Sequence, residues 1–190
     1  MAVITISRQL GSQGDTIAEL IAEQLGYKVV SRQIINQAAL QACAPEIALA
    51  EIDELGLLGI SPSDKDCKSY IRQLKRILLD LAEEGRVIIV GRGGQIILQD
   101  YPGALHVRVI APFETRVSRL MEEQGISHNA ATAQIKASDR YREKFLKGFF
   151  KARLSSPEFY DLVLNTGHFD PEAAVQIILT ALHQKTTLAL

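Results

Sequence analysis

The residues best suited to chemistry in this chain are two glycine-rich segments and a scatter of arginines, and the chemistry they suit is the holding of phosphate. The first segment is Ser7-Arg8-Gln9-Leu10-Gly11-Ser12-Gln13-Gly14-Asp15-Thr16. Gly11 and Gly14 allow backbone N–H groups to converge on an anion where a strand feeds the start of a helix. The lysine-bearing pattern Gly-x-x-x-x-Gly-Lys-[Ser/Thr] is absent. Aligned on it, Gly14 takes the place of the lysine and Asp15 that of the Mg²⁺-binding hydroxyl. A carboxylate in the first turn of a helix gains about 0.3–1 kcal/mol from the helix dipole. The same charge repels a nearby phosphate unless Mg²⁺ lies between them. Thr16 offers a hydroxyl instead, and Arg8 replaces the lysine if its side chain folds back over the bend. The competing reading is a plain strand-to-helix turn.

The second segment is Gly91-Arg92-Gly93-Gly94, directly after the apolar run Val87–Val90. Arg92 there can fork onto a phosphate with two parallel hydrogen bonds. With Arg32 after the second β-like run, three successive strand ends carry an arginine: Arg8, Arg32 and Arg92. Charge is also uneven. Residues 104–155 hold ten Lys/Arg against five acids, so this stretch stands at +5 in a chain of net charge −1. Within it Arg116 and Arg119 are one helical turn apart, as are Asp139 and Arg142. Phosphoryl transfer asks for such cations over a moving phosphoryl group and little covalent chemistry. Surface ion pairs on solvated helices account for the same pattern.

These residues need a scaffold, and the chain alternates β-like runs with helical periodicity. Val3–Ile6, Tyr27–Val30, Val87–Val90, Leu105–Ile110 and Leu162–Leu164 read as strands. Helices are expected from Ile17, Leu20, Ile21 and Leu25 up to Gly26; from Ser31 to about Cys43; and from a cap at Ser63 or Asp64 to Gly85. Others follow from Pro112 to about Glu123, over roughly 128–147, and from Pro171, with fraying expected from Lys185 to Leu190. This alternation predicts one right-handed, mostly parallel α/β sheet, whose ligands bind beyond the carboxyl ends of the strands.

Composition excludes several classes. With 47% apolar and 23% charged residues, the chain is neither disordered nor fibrous. Its near-zero net charge gives no general field toward nucleic acid or anionic membrane, so neither is expected as a partner. No apolar run approaches the ~20 residues that span a bilayer. The N-terminus reads as a first strand rather than a signal peptide. Cys43 and Cys67 show no zinc spacing and read as reduced thiols of a cytoplasmic protein. The four scattered histidines carry no metal or base role, and no metal site is assigned. Ile47–Ile60 reads equally as a homo-oligomer interface or as cover for the core.

Taken in order, Ile4-Thr5-Ile6-Ser7-Arg8, Gly11-Ser12-x-Gly14-x-x-Ile17-Ala18, Leu25-Gly26-Tyr27, Arg32-x-Ile34-Ile35, Val87–Gly94, Val109-Ile110-Ala111-Pro112 with Arg116, Asp139-x-x-Arg142 and Tyr160–Thr166 resemble the cytidylate kinase-like family of P-loop nucleoside monophosphate kinases. The resemblance covers nearly the whole chain as a single domain. It implies a three-layer P-loop kinase-like fold with a five-stranded parallel sheet, a helical NMP-binding insertion at about residues 32–66 and a lid at about 116–153. It further implies ATP and Mg²⁺ as cofactors, nucleotide substrates, and phosphoryl transfer to a small phosphorylated acceptor. By position, Arg8 and Gly11 to Thr16 (with Ser12, Gln13, Gly14 and Asp15 between) would meet the donor phosphates. Arg32 and Arg92 would hold the acceptor. Arg116, Arg119 and Arg142 would neutralise transferring charge, with Asp139 orienting them. The chain departs from the family pattern at Gln13, where a glycine is usual, and at Asp15, where an arginine is usual. It also carries Ser31 and Gly93 where aspartates are usual. Those departures suit an alternative: a nucleotide-binding relative without catalysis, acting as sensor or interaction protein.

Overall fold

In the computed structural model, residues 2–31, 34–35 and 65–188 are described. Arg32, Cys43, the segment Ile47–Ile60, the cap at Ser63 or Asp64 and most of the expected insertion lie outside them.

The described residues form β1 (Val3–Arg8), α1 (Gly14–Leu25), β2 (Lys28–Val30), α2 (Lys65–Glu84), β3 (Val87–Val90), α3 (Gly94–Ile97), β4 (Ala104–Ile110), α4 (Phe113–Gln124), α5 (His128–Phe150), β5 (Leu162–Asn165) and α6 (Pro171–Leu188). The five strands make one sheet, every pairing parallel, in the order β2-β3-β1-β4-β5. β1 is therefore central. The chain departs from it first to one side and then, after β3, to the other, so the topological switch lies at the carboxyl end of β1.

Alternation along the strands builds two cores. Ile4, Ile6, Ile88, Val90, Leu105, Val107 and Val109 face α1 and α6, meeting Ile17, Ile21, Val175 and Ile178. Val3, Val87, Ile89 and Ala104 face the other way, onto Tyr70, Leu74 and Leu78 of α2 and Phe145 and Leu146 of α5. The all-apolar Val87–Val90 is buried on both faces, which is why it shows no alternation. A third, small core of Val117, Leu120, Ala131 and Ile135 joins α4 to α5, so this helix pair packs as a hairpin of its own.

Apart from one-residue shifts at β2, β4, β5 and α4, three boundaries and one element differ from the sequence expectation. β1 continues through Ser7 and Arg8 because both pair with β4, at Arg108 and Val109. α3 was not expected; four residues carry no periodicity. α5 reaches Phe150 because Phe149 and Phe150 pack on the second core. α6 does not fray at Lys185 but runs to Leu188, with the Lys185 ammonium paired to the Asp161 carboxylate before β5.

Asp161 also accepts from the backbone N–H of His106 on β4. Burial alone would raise its carboxyl, but the Lys185 and His106 hydrogen bonds and the Lys185 charge hold it below the ordinary range. His106 itself is buried opposite Thr5 of β1, with Nδ1 2.7 Å from Thr5 Oγ1. Burial pushes its imidazole below the usual value of 6.5, outweighing the upward pull of Asp161. With the folded pKa depressed, stability is complete above about pH 6.5. It falls as the unfolded chain takes up a proton that the folded ring refuses, by at most about 1.4 kcal/mol per pH unit. Melting temperatures should thus decline from pH 7 to 5, and His106→Gln should flatten that decline whatever its effect at pH 8.

Candidate active site

The bend after β1 is held from four directions. Gln9 N–H donates to Val109 O, and Gln9 Oε1 accepts from Ala111 N–H at 3.1 Å. Ser12 is fully buried, and its hydroxyl donates to Gln9 O at 2.8 Å. That hydroxyl is therefore turned into the bend rather than out of it. Thr166, just past β5, bonds Ser12 O through Oγ1 at 2.9 Å. Arg119 on α4 donates to Thr166 O at 2.7 Å and reaches Gly11 O at 3.5 Å; partial burial lowers its guanidinium from the ordinary value.

Close approach dictates both glycines. A Cβ on Gly11 would sit 2.7 Å from the carbonyl oxygen of Arg116, and one on Gly14 would sit 2.4 Å from Arg8 Cβ. Gln13 takes φ 61, a left-handed conformation that costs a non-glycine residue of order 1 kcal/mol. It precedes α1 without a side-chain cap, leaving the first-turn amides no side-chain acceptor. The glycine usual at this position would adopt the same backbone without that strain.

Arg8 crosses this bend. Its stem lies against Gly14, Nε is 3.1 Å from both Asp15 oxygens, and Nη1 is 3.1 Å from where a Cβ on Gly91 would lie. The arginine therefore folds back and spans both glycine loops. Asp15 is 64% exposed and lies on the rim, its charge met by Arg8 rather than turned on the bend.

Arg92 lies on the other face. It has φ 54 within a left-handed stretch from Gly91 to Gly93, and its guanidinium is 5.3 Å from the Phe145 ring and 6.0 Å from that of Tyr70. Gly93, where an aspartate is usual, lies against the ring of Phe150. Arg116 is only 4% exposed and forms two parallel bonds to Asp139, at 3.1 and 2.9 Å. Arg142 is 4.0 Å from the same carboxylate. Thr16 is exposed in the first turn of α1.

The structure thus brings Arg8, Gly11 to Thr16, Arg116, Arg119 and Asp139 around one bend. It sets Arg92 across the sheet, and Arg32 lies outside the described residues. Sequence reasoning gave no role to Gln9 or Thr166, which hold the bend, although both lie in segments it singled out, Ser7–Thr16 and Tyr160–Thr166.

Comparison with known proteins fits this architecture. The chain is 29% identical over 178 residues to the cytidylate kinase of Ignicoccus hospitalis, covering 94% of this chain and 97% of that one. It is 36% identical over 158 residues to a uronate isomerase of Corynebacterium glutamicum, but these span 83% of this chain and only 30% of that protein. A solved structure of an uncharacterized protein from Eubacterium ventriosum superposes with a TM-score of 0.75 at 23% identity, covering 96% and 99% of the two chains. The all-parallel sheet with helices on both faces is that of the P-loop kinases. The model of the cytidylate kinase-like family matches residues 3–168, from the first strand through the Thr166 clip, and the chain belongs to that family.

Proposed function

We propose that the protein transfers the terminal phosphoryl group of ATP to a nucleoside monophosphate. One observation carries the reading: Arg8 lies over the glycine bend and reaches the second glycine loop, its guanidinium steadied by an exposed carboxylate. A cation is thereby held beside an uncapped helix start, which supports Arg8 as the substitute for the missing lysine. Family membership and the name of the Ignicoccus relative, cytidylate kinase, support the acceptor class.

In this mechanism the amides of Gln13 to Thr16 and the Arg8 guanidinium hold the donor phosphates. Asp15 sets the angle of Arg8. Arg116, Arg119 and Arg142 on the α4–α5 hairpin bring positive charge toward the group in flight, and Asp139 fixes two of them. Arg92, with Arg32, holds the acceptor. No side chain makes a covalent bond; positioning and charge lower the barrier.

The residues fit a magnesium ion held chiefly by the phosphates themselves. Thr16 presents an exposed hydroxyl, and among the described residues no three His, Cys, Asp or Glu converge into a metal cage. Bound there, Mg²⁺ supplies neutralising charge. Among the described residues no helix is long and apolar enough to cross a membrane.

The test is a coupled assay with ATP·Mg²⁺ and AMP, CMP, GMP or UMP. Turnover with at least one is expected, and none with any overturns the reading; nucleotide binding without turnover would instead favour the sensor. Arg8→Gln removes a charged donor set worth about 1.5–3 kcal/mol. It should raise the ATP dissociation constant about 10- to 100-fold, measured by calorimetry, while leaving monophosphate affinity within threefold.

A further inference from the structure

Successive residues of a strand point to opposite faces, and the carboxyl end of β1 divides its two last side chains in this way. Arg8 joins the α1 face, over the bend. Ser7 points to the face of α2 and α3, as do Val3 and Thr5 before it. There it meets Arg108, its register partner on β4. A polar cluster closes around that pair. Arg108 Nη1 donates to the Tyr160 hydroxyl at 3.2 Å and to Ser7 Oγ at 3.4 Å, and its guanidinium carbon lies 5.4 Å from the Tyr160 ring centre. Gln95 of α3, 2% exposed, donates to the same hydroxyl at 3.3 Å.

Among the described residues no carboxylate lies within 4 Å of the Arg108 guanidinium, whereas Arg8 and Arg116 each hold one. Arg108 is half-buried, and among the described residues its hydrogen bonds run from Nη1 alone, to two neutral hydroxyls. A partly desolvated guanidinium is ordinarily matched by an anion. This one stands at the ligand-binding edge of the sheet, on the face that also bears Arg92, with Arg8 on the opposite face.

We propose that Arg108, backed by Tyr160, Ser7 and Gln95, is an anion-binding residue of the acceptor subsite, selecting a phosphorylated acceptor over its uncharged counterpart. The inference rests on the phosphotransfer reading for the word acceptor, but not for the anion site itself. Tyr160 and Gln95 are positioning residues: the ring covers one side of the guanidinium and the amide fixes the hydroxyl that receives it.

The experiment titrates wild type, Arg108→Gln, Arg108→Lys and Tyr160→Phe with AMP, CMP, GMP and UMP, with the four parent nucleosides, and with ATP, and records each variant's melting temperature. For the best-binding monophosphate, Arg108→Gln should raise the dissociation constant tenfold or more. Nucleoside and ATP affinity should stay within twofold, with Arg108→Lys intermediate and Tyr160→Phe losing less than Arg108→Gln. The collapse of the monophosphate-to-nucleoside ratio is the signature, since a merely structural role would move all three ligands together. Monophosphate affinity within twofold of wild type, or a parallel fall for ATP, overturns the proposal. If Arg108→Gln does not fold, Arg108→Lys decides by the same ratio. Wild-type turnover is read separately: a wild type that binds a monophosphate but transfers nothing sinks the phosphotransfer reading and leaves the anion site to the affinity ratio. A wild type that binds no monophosphate sinks both.

Discussion

Gly11→Ala should lower the melting temperature by about 10 °C and weaken ATP binding at least tenfold. Gly11 has φ +76, and the added methyl would lie 2.7 Å from the Arg116 carbonyl oxygen and 3.0 Å from its Cα. The conformational term is about 1–2 kcal/mol. The steric term is about 1–3 kcal/mol, because the opposing atoms are helix backbone and cannot swing aside like a side-chain tip. Their sum, at about 2–4 °C per kcal/mol for a chain of this size, gives the expected shift. Binding suffers because the bend relieves the clash only by moving off α4. That motion strains the Arg119 bond to Gly11 O and the Thr166 bond to Ser12 O together. Gly26→Ala is the control. Gly26 has φ +64, but nothing lies within 4 Å of the added methyl, so only the conformational cost remains. Equal melting shifts for the two variants would remove close approach as the reason for Gly11. Gly14→Ala separates the effects further. Its backbone is ordinary, but the methyl would meet Arg8 Cβ at 2.4 Å and Cγ at 2.8 Å, atoms fixed to β1, so its melting shift would come from close approach alone.

Those glycines mark how far the sequence could be read. Their place at a strand-to-helix turn was legible, and the bend does lie between the carboxyl end of β1 and the start of α1. The reason for them was not, since it lies in Arg116 and Arg8, and no spacing rule says which backbone will lie against a bend. Asp15 is similar. Read alone it opposes phosphate; in the fold its charge meets Arg8, seven residues earlier, because the bend brings the two together. The strands were legible wherever burial acts on the whole segment, as in Val87–Val90, because parallel pairing needs apolar residues on both faces. They were less so where a neighbour decides: Ser7 and Arg8 look like loop residues and are strand only because β4 continues beside them. The last turns of α6 carry an ion pair from Lys185 to Asp161, 24 positions away, a contact no local signal for fraying contains. Arg108 and Tyr160, 52 positions apart, meet through the β4–β5 pairing alone, so charge counting found the arginine and could not find its setting.

The α4–α5 hairpin poses the sharper question of whether an arginine stabilises the protein or acts in its chemistry. Asp139→Ala should destabilise by about 2–3 kcal/mol. Stripping a partner from a fully buried pair costs about 3–5 kcal/mol. Here the Arg116 side chain is 5% exposed but Asp139 is 35% exposed, so water partly replaces the lost carboxylate. The double variant Arg116→Met, Asp139→Leu removes both charges and fills the space with apolar side chains. It should recover most of that loss, because no uncompensated guanidinium is left behind. Turnover should not return with it. Arg116 also reaches Leu10 O at 3.5 Å, which ties the hairpin to the first residue before the glycine bend and holds its cation there. If that cation steadies the group being transferred, its loss costs about 10²- to 10³-fold in kcat, the scale seen when one donor to developing charge is removed. Thermal denaturation and steady-state kinetics on the two variants separate the roles. A double variant with wild-type stability and wild-type kcat would reduce Arg116 and Asp139 to a strut between helices, and the transferring charge would then fall to Arg119 and Arg142.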